Sequence, residues 1–394
     1  MTSSQSRVVI VGAGQGGLQV AISLRQEGFE GSITLIGDEP GLPYQRPPLS
    51  KAYLKTGDVE GLTLRPSAFF EKNRIELIAK TTVNRLDRAG RKVIASEQAY
   101  EFDHLILATG TSNFRPPING LERALDLRTL EDAKRLREGL DRSRRIAVIG
   151  GGFIGLEFAA VARASGHDVT VVETAPRLLS RAVSHAMSAR FLDFHRALGT
   201  RILLGASVAH ISDTSVTVSN GEDVEADLVL LAAGVRPNVK LAEDARLSVE
   251  NGIIVDQYLL TLDPNISALG DCASFPDPRT GRSVRLESVQ AATDHARLIA
   301  RRLVKGDLSG YTAVPWFWSD QANWKLQIAG LSGPEDESIP VGETAVFRFS
   351  EGILTAVETI NDAKNHMKAR KVLASREPCS RDMLERGGYD LSLS

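Results

Sequence analysis

Val8–Val11 is a short run of apolar, mostly β-branched residues. It is followed by a glycine-rich stretch and then by LQVAISLRQEG, whose apolar positions recur at helical spacing up to Gly28. SITLIGDE, next in the chain, has the composition of a strand. The same order returns further on: Arg145-IAVI, a second cluster of glycines, the helix-spaced LEFAAVARASG, and a strand DVTVVE ending at Glu173. HLILATG (104–110) and DLVLLAAGVRPN (227–238) are apolar runs, each passing into a glycine. Beyond residue 311 the rhythm changes to YTAVPWFWSDQANWKLQIAG, TAVFRF and ILTAVETI, followed by a basic helical stretch. Strand, glycine turn, helix and strand, given twice, predict an α/β chain with two Rossmann-like nucleotide domains and a small C-terminal α+β domain.

The glycines carry the first chemistry. In Gly12-Ala13-Gly14-Gln15-Gly16-Gly17 the first two motif positions let the backbone turn and approach a pyrophosphate. Gly17 lets helix and strand pack closely, and the helix N-terminus offers N–H groups to the phosphates. A ribose-binding carboxylate is expected at the end of the next strand. Gly37 stands nearest that place, so the assignment moves to Asp38. The second copy, Gly150-Gly151-Gly152-Phe153-Ile154-Gly155, fits better: Glu173 lies 23 residues after Gly150, where a carboxylate accepts ribose hydroxyls and repels a 2′-phosphate. No cation directly follows it in Thr174-Ala175-Pro176, although Arg177 is close, which favours NADH over NADPH. In ALGDCAS, Asp271 follows a glycine at a predicted strand-to-helix turn; it reads as a helix cap or as an acceptor for a ribityl hydroxyl.

Composition narrows the class. The 394 residues are 42% hydrophobic and 24% charged with net charge −2, which predicts two or three soluble domains and gives no case for nucleic-acid binding. No apolar run is long enough to span a membrane, and MTSSQSR leads straight into a strand pattern, so the expected location is the cytoplasm. Cys272 and Cys379 form no CxxC, which argues against a redox dithiol, a disulfide framework or a zinc site. The seven histidines are scattered, and neither GxSxG nor HExxH occurs, so no nucleophile or metal constellation is read; no metal is expected.

GAGQGG, PYQRPPLSK, ATG, GGGFIGLE, AAGVRPN, GDCA and PWFWSDQ, in that order from Val8 to about Lys325, resemble the two-dinucleotide flavoprotein reductases. Within these the chain is similar to the NADH-dependent ferredoxin reductases of bacterial oxygenase systems, of the putidaredoxin reductase and biphenyl dioxygenase reductase type. PYxRPPLSK with FWSDQ is the narrowest part, shared also with apoptosis-inducing factor. The resemblance implies the glutathione-reductase-like fold and both FAD and NADH. It divides the chain into an FAD domain (1–115 and 238–310), an NADH domain (116–237) and a C-terminal domain (311–394).

For single residues the resemblance implies Gly12, Gly14, Gly16 and Gly17 on the FAD pyrophosphate and Asp38 and Asp271 as further FAD ligands. It places Arg46 on the FAD, Lys51 beside the flavin N5 edge, and Glu157 paired with Lys51 and facing the nicotinamide. Val83 falls near the adenine, Arg128 at the flavin-side domain junction, and Val289 and Trp318 near the isoalloxazine. Gly150, Gly152, Gly155, Glu157 and Glu173 serve NAD. Pro43, Pro47 and Pro48 are expected to hold the segment 41–51 in extended geometry as a strap over the flavin.

The implied reaction passes electrons from NADH through FAD, one at a time, to a transiently docked acidic [2Fe–2S] ferredoxin that supplies a cytochrome P450 or Rieske oxygenase. Arg297, Arg301, Arg302 and Lys305 are expected near one face of a helix, where they either steer such a partner or are simply solvated. A monomer or weak dimer is expected. The alternatives are an NADH oxidase, a rubredoxin reductase, or a redox-responsive interaction protein resembling apoptosis-inducing factor.

Overall fold

A computed structural model describes residues 5–375 and 377–392; the first four residues of the N-terminal MTSSQSR lie outside the described residues. The chain forms two compact units. One comprises Met1–Gln45, Glu60–Ser112 and Arg236–Ala313; the other comprises Arg46–Val59, Asn113–Val235 and Val314–Ser394.

In the first unit five parallel strands lie in the order Ile266–Ala268, His104–Leu107, Arg7–Val11, Ser32–Ile36, Ile75–Ile78. Parallel strands covered on both faces must be apolar throughout, and Ile10, Leu105, Ile106, Leu107 and Ile266 are completely buried. The helices Gln15–Gln26 and Val289–Lys305 pack against one another through small residues. Gly12 has φ +108°, and a Cβ at Gly17 would overlap the Gly12 carbonyl oxygen, so the first glycine turn is dictated by sterics. ALGDCAS departs from expectation: Gly270–Cys272 is a single 3₁₀ turn running into the strand Ala273–Pro276, and the next α-helix starts only at Val289. Pairing of Ala273 and Ser274 with Ile253 and Ile254, and of Phe275 and Pro276 with Val284 and Ser283, holds the chain extended after the turn.

The second unit repeats the parallel motif in the order Arg201–Leu204, Asp168–Glu173, Arg145–Ile149, Leu228–Leu231. A five-stranded antiparallel sheet follows in the order Trp316–Gln321, Trp324–Gly330, Ile353–Ile360, Ala345–Ser350, Glu337–Val341, with the helix Ala363–Leu373 packed on it. This sheet grips the helix His185–Ala197 at both ends. Glu358, fully buried, accepts from the Ser184 N–H (2.8 Å) and hydroxyl (2.6 Å) at the helix N-cap and from Arg348 (3.1 Å). Burial still pushes the Glu358 carboxyl above its ordinary value, with Ser184 and Arg348 opposing. At the other end Trp324 stacks on Phe194 at 4.1 Å.

Two histidines in the first unit are buried as neutral rings. His104 contacts the Ser267 hydroxyl (2.8 Å), which also accepts from Arg302 (2.6 Å), and burial pushes its pKa down to about 3. Burial pushes His295, which accepts from the Gly270 N–H, down to about 3 as well. Unfolded imidazoles bind protons near pH 6.5 whereas these bind only near 3, so stability is full above that range and falls as pH drops from about 6.5 towards 3. Urea unfolding at pH 7 and pH 5 should show a loss of about 2 kcal/mol per buried histidine. Equal stabilities at the two pH values would contradict neutral burial.

Candidate functional site

The second glycine turn positions two carboxylates. Gly150 has φ +113°, and a Cβ at Gly155 would overlap the Gly150 carbonyl, so the helix Phe153–Ala164 starts tight against the strand Arg145–Ile149. Glu173 closes the neighbouring strand and folds back on the turn: one carboxylate oxygen accepts from the Gly151 N–H (2.6 Å), the other from the Ala175 N–H (2.7 Å) and the Thr174 hydroxyl (3.2 Å). Arg177, the nearest following cation, spends its guanidinium on the carbonyls of Val183 (2.8 Å) and Ser180 (2.6 Å). It is turned to its own loop, so Glu173 keeps its acceptor character.

Glu157 lies in the second turn of the same helix, only 3% exposed. Its Oε1 accepts from the Lys51 Nζ at 3.0 Å and from the Ser319 hydroxyl at 2.7 Å; its Oε2 accepts from the Ser50 hydroxyl at 2.5 Å. Three donors from two other segments thus meet on one buried carboxylate. That is the condition under which burying a charge is tolerated. Lys51 is 19% exposed.

The segment carrying Ser50 and Lys51 is not the extended strap expected. Pro47–Ser50 is a 3₁₀ helix with proline in its first positions, and Arg46 has helical φ and ψ. Proline fixes φ near −65°, a value shared by 3₁₀ and extended backbone, and its missing N–H costs nothing at a helix start. The tight turn then aims both Ser50 and Lys51 at Glu157. Arg46 donates to the Arg128 carbonyl (2.8 Å), and the Arg128 N–H donates to Asp132 (3.1 Å), whose carboxylate also accepts from the Thr129 N–H (2.9 Å) in the capping box of the helix Leu130–Leu140. The two arginines read separately from the sequence are therefore joined.

Trp318 sits on the strand Trp316–Gln321, whose alternation sends Ser319 and Gln321 into the interior while Trp316, Trp318 and Asp320 stay partly exposed on the other face. Trp316 and Trp318 rings lie 5.5 Å apart. Sequence reading missed Ser50, Ser319, Gln321 and His195. The signal for the first three was present, since the serines and the glutamine are letters of PPLSK and FWSDQ. His195 had none beyond its helix.

In the first unit Gly12, Gly14, Gly16 and Gly17 form the turn into the helix Gln15–Gln26. A Cβ at Gly14 would meet no atom within 4 Å among the described residues, and no side chain among them caps this helix. The turn is an open cradle of backbone N–H groups and fits a pyrophosphate. Gly37 occupies the usual acid's place for a steric reason: a Cβ there would lie 2.6 Å from that of Ala13. Asp38 follows it, exposed, while the neighbouring Glu39 accepts from the Tyr44 hydroxyl. Asp271 accepts from the Thr111 hydroxyl (3.4 Å), and its carbonyl accepts from Arg285 (3.1 Å). Val83 opens a strand and packs half-buried on the core; Val289 opens the helix Val289–Lys305, capped by Ser288.

The predicted basic face loses one member. Arg302 turns inward, donating to the Tyr258 carbonyl (2.5 Å) and the Ser267 hydroxyl (2.6 Å), while Arg297, Arg301 and Lys305 remain exposed. Among the described residues no group of His, Cys, Asp and Glu could hold a metal, and no helix is long and apolar enough to cross a membrane. Cys272 and Cys379 are buried thiols, not joined in a disulfide.

Residues 6–296 match the family described as pyridine nucleotide-disulphide oxidoreductase, and residues 316–392 match that described as reductase C-terminal. The chain is 45% identical to rhodocoxin reductase of Rhodococcus erythropolis, covering 98% of this chain and 94% of that protein. It is 38% identical to putidaredoxin reductase CamA of Pseudomonas putida, covering 97% and 95%. Among solved structures, the ferredoxin reductase for the CYP199A2 system from Rhodopseudomonas palustris superimposes with a TM-score of 0.95 at 44% identity, covering 98% of this chain and 99% of that one.

Arg302→Ala should lower the melting temperature by several degrees, because it strips buried hydrogen bonds of about 1 to 3 kcal/mol from Ser267 and Tyr258. Arg297→Ala and Arg301→Ala should leave it within about a degree. A thermal melt of the three variants decides, and an unmoved Arg302→Ala would contradict its structural placement.

Proposed function

Because the chain belongs to the pyridine nucleotide-disulphide oxidoreductase family, we propose that it is an FAD-containing, NADH-dependent ferredoxin reductase. Its electron acceptor is a [2Fe–2S] ferredoxin that serves a cytochrome P450 or Rieske oxygenase. The observation that carries this reading is the pairing of Lys51 with the buried Glu157, built where the second nucleotide turn begins its helix. Bound FAD supplies the step between two-electron and one-electron chemistry, accepting a hydride and releasing electrons singly.

The chain's own residues bind, orient and set charge. Gly12, Gly14, Gly16 and Gly17 offer backbone N–H groups to the FAD pyrophosphate; Asp38 and Asp271 are its hydroxyl acceptors, and Val83 and Val289 its apolar contacts. Arg46 and Trp318 are assigned to FAD as well, from the resemblance of their motifs, and Arg128 from the overall resemblance. Gly150, Gly152 and Gly155 seat the NADH pyrophosphate, and Glu173 accepts from the adenosine ribose. A 2′-phosphate would meet the Glu173 charge with Arg177 committed to carbonyls, which favours NADH over NADPH. Lys51 places an ammonium where negative charge develops on the flavin, and Glu157 holds that ammonium in place until the nicotinamide enters. The FAD domain is assigned to 1–115 and 238–310, the NADH domain to 116–237 and the C-terminal domain to 311–394. The proposed location is the cytoplasm, as a monomer or weak dimer. The exposed Arg297, Arg301 and Lys305 are the proposed steering charges for an acidic ferredoxin.

Glu173→Ala should raise the KM for NADH about tenfold and narrow the preference over NADPH; unchanged NADH kinetics would remove the ribose assignment. Lys51→Ala should slow bleaching of the flavin band by NADH at least about tenfold in stopped flow. A variant bleaching at the wild-type rate would refute the role of the lysine.

A further inference from the structure

A chain of neutral hydrogen bonds leads away from Glu157 through the interior. The Ser319 hydroxyl donates to Glu157 Oε1 (2.7 Å), the Gln321 Nε2 donates to Ser319 Oγ (3.1 Å), and His195 Nε2 contacts Gln321 Oε1 (2.8 Å). His195, Ser319 and Gln321 are all completely buried. An amide oxygen can only accept, so the His195 proton sits on Nε2 and points at Gln321. Its Nδ1 has no hydrogen-bond partner among the described residues, as suits the bare nitrogen of a neutral ring, and burial pushes the imidazole below its ordinary pKa.

Every donor in this chain therefore points one way, from the helix His185–Ala197 through the strand Trp316–Gln321 to the helix Phe153–Ala164. Ser319 has a single proton. Because Gln321 donates to its oxygen, that proton goes to Glu157. Oε1 then shares its charge between Ser319 and Lys51, while Oε2 serves Ser50. Without the hydroxyl, Lys51 would be the sole donor on Oε1 and would be held more tightly.

We propose that His195, Gln321 and Ser319 are positioning residues whose one-way hydrogen-bond chain limits the grip of Glu157 on Lys51, and so sets how readily Lys51 is released when the nicotinamide binds. The inference rests on the role given above to the Lys51–Glu157 pair. None of the three residues need touch the cofactors for it to hold.

Gln321→Glu tests the direction of the chain at almost constant shape. The groups facing this position are His195 from the helix, Ser319 on the same strand and, through Ser319, Glu157 with Lys51. An ionised carboxylate accepts from both His195 and Ser319, taking the serine proton away from Glu157. At pH 8 the stopped-flow rate of flavin reduction at saturating NADH should fall about tenfold, with the KM for NADH changed by less than about twofold. At pH 6 the deficit relative to wild type should shrink, since the protonated side chain again donates to Ser319. A wild-type rate at both pH values, or a deficit that does not change with pH, would overturn the proposal.

A cycle with Ser319→Ala decides the matter if the first variant does not fold. Ser319→Ala should slow flavin reduction about fivefold in the wild-type background and have no effect beside Glu157→Gln. Equal effects in both backgrounds would overturn the positioning role. If Glu157→Gln itself reduces flavin at the wild-type rate, the pair has no role, and the reading beneath this inference fails first.

Discussion

A carboxylate removed from water must find donors or it destabilises the fold by several kcal/mol. Glu157 is such a group, and much of the second unit is arranged around it. The proline-led 3₁₀ turn brings Ser50 and Lys51, the glycine turn sets the start of the helix that carries Glu157, and the antiparallel sheet brings Ser319. Removing any one of these would leave a buried charge short of a partner. The sheet is tied to the unit at a second point as well, where Glu358 accepts from Ser184 at the N-cap of the helix His185–Ala197.

The two glycine turns solve the same backbone problem with different surroundings. In both, the first glycine takes positive φ and the last leaves no room for a Cβ beside the first glycine's carbonyl. They part at the end of the following strand. Glu173 fits at the second because Gly151 and Ala175 direct N–H groups at it; at the first, close approach to Ala13 demands Gly37 and moves the carboxylates outward to Asp38 and Glu39. The difference is steric in origin, and its chemical consequence is two non-equivalent nucleotide turns.

Much of this was legible in the sequence because it rests on local pattern. The paired strand–glycine–helix units follow from apolar runs and from glycines that backbone geometry requires. So does the position of Glu173. What the sequence hid depends on three-dimensional neighbours. Proline restricts φ without choosing between extended and 3₁₀ backbone, so the turn at Pro47–Ser50 is decided by its contacts. Arg302 looked like a surface charge by spacing, yet Ser267 and the Tyr258 carbonyl draw it inward. Asp271 was placed before a helix because a glycine precedes it, whereas pairing with Ile253–Ile254 and Ser283–Val284 carries the chain on as a strand. Ser319, Gln321 and His195 come from segments more than a hundred residues apart or from alternate strand positions. Only the fold shows that they form one chain.

The most direct test of the account is the acceptor requirement of the purified flavoprotein: NADH is mixed with the enzyme and cytochrome c, with and without a [2Fe–2S] ferredoxin. Rapid bleaching of the flavin band is expected in both mixtures, with cytochrome c reduction only when the ferredoxin is present. Bleaching followed by reoxidation through oxygen alone, at a rate the ferredoxin does not change, would contradict it.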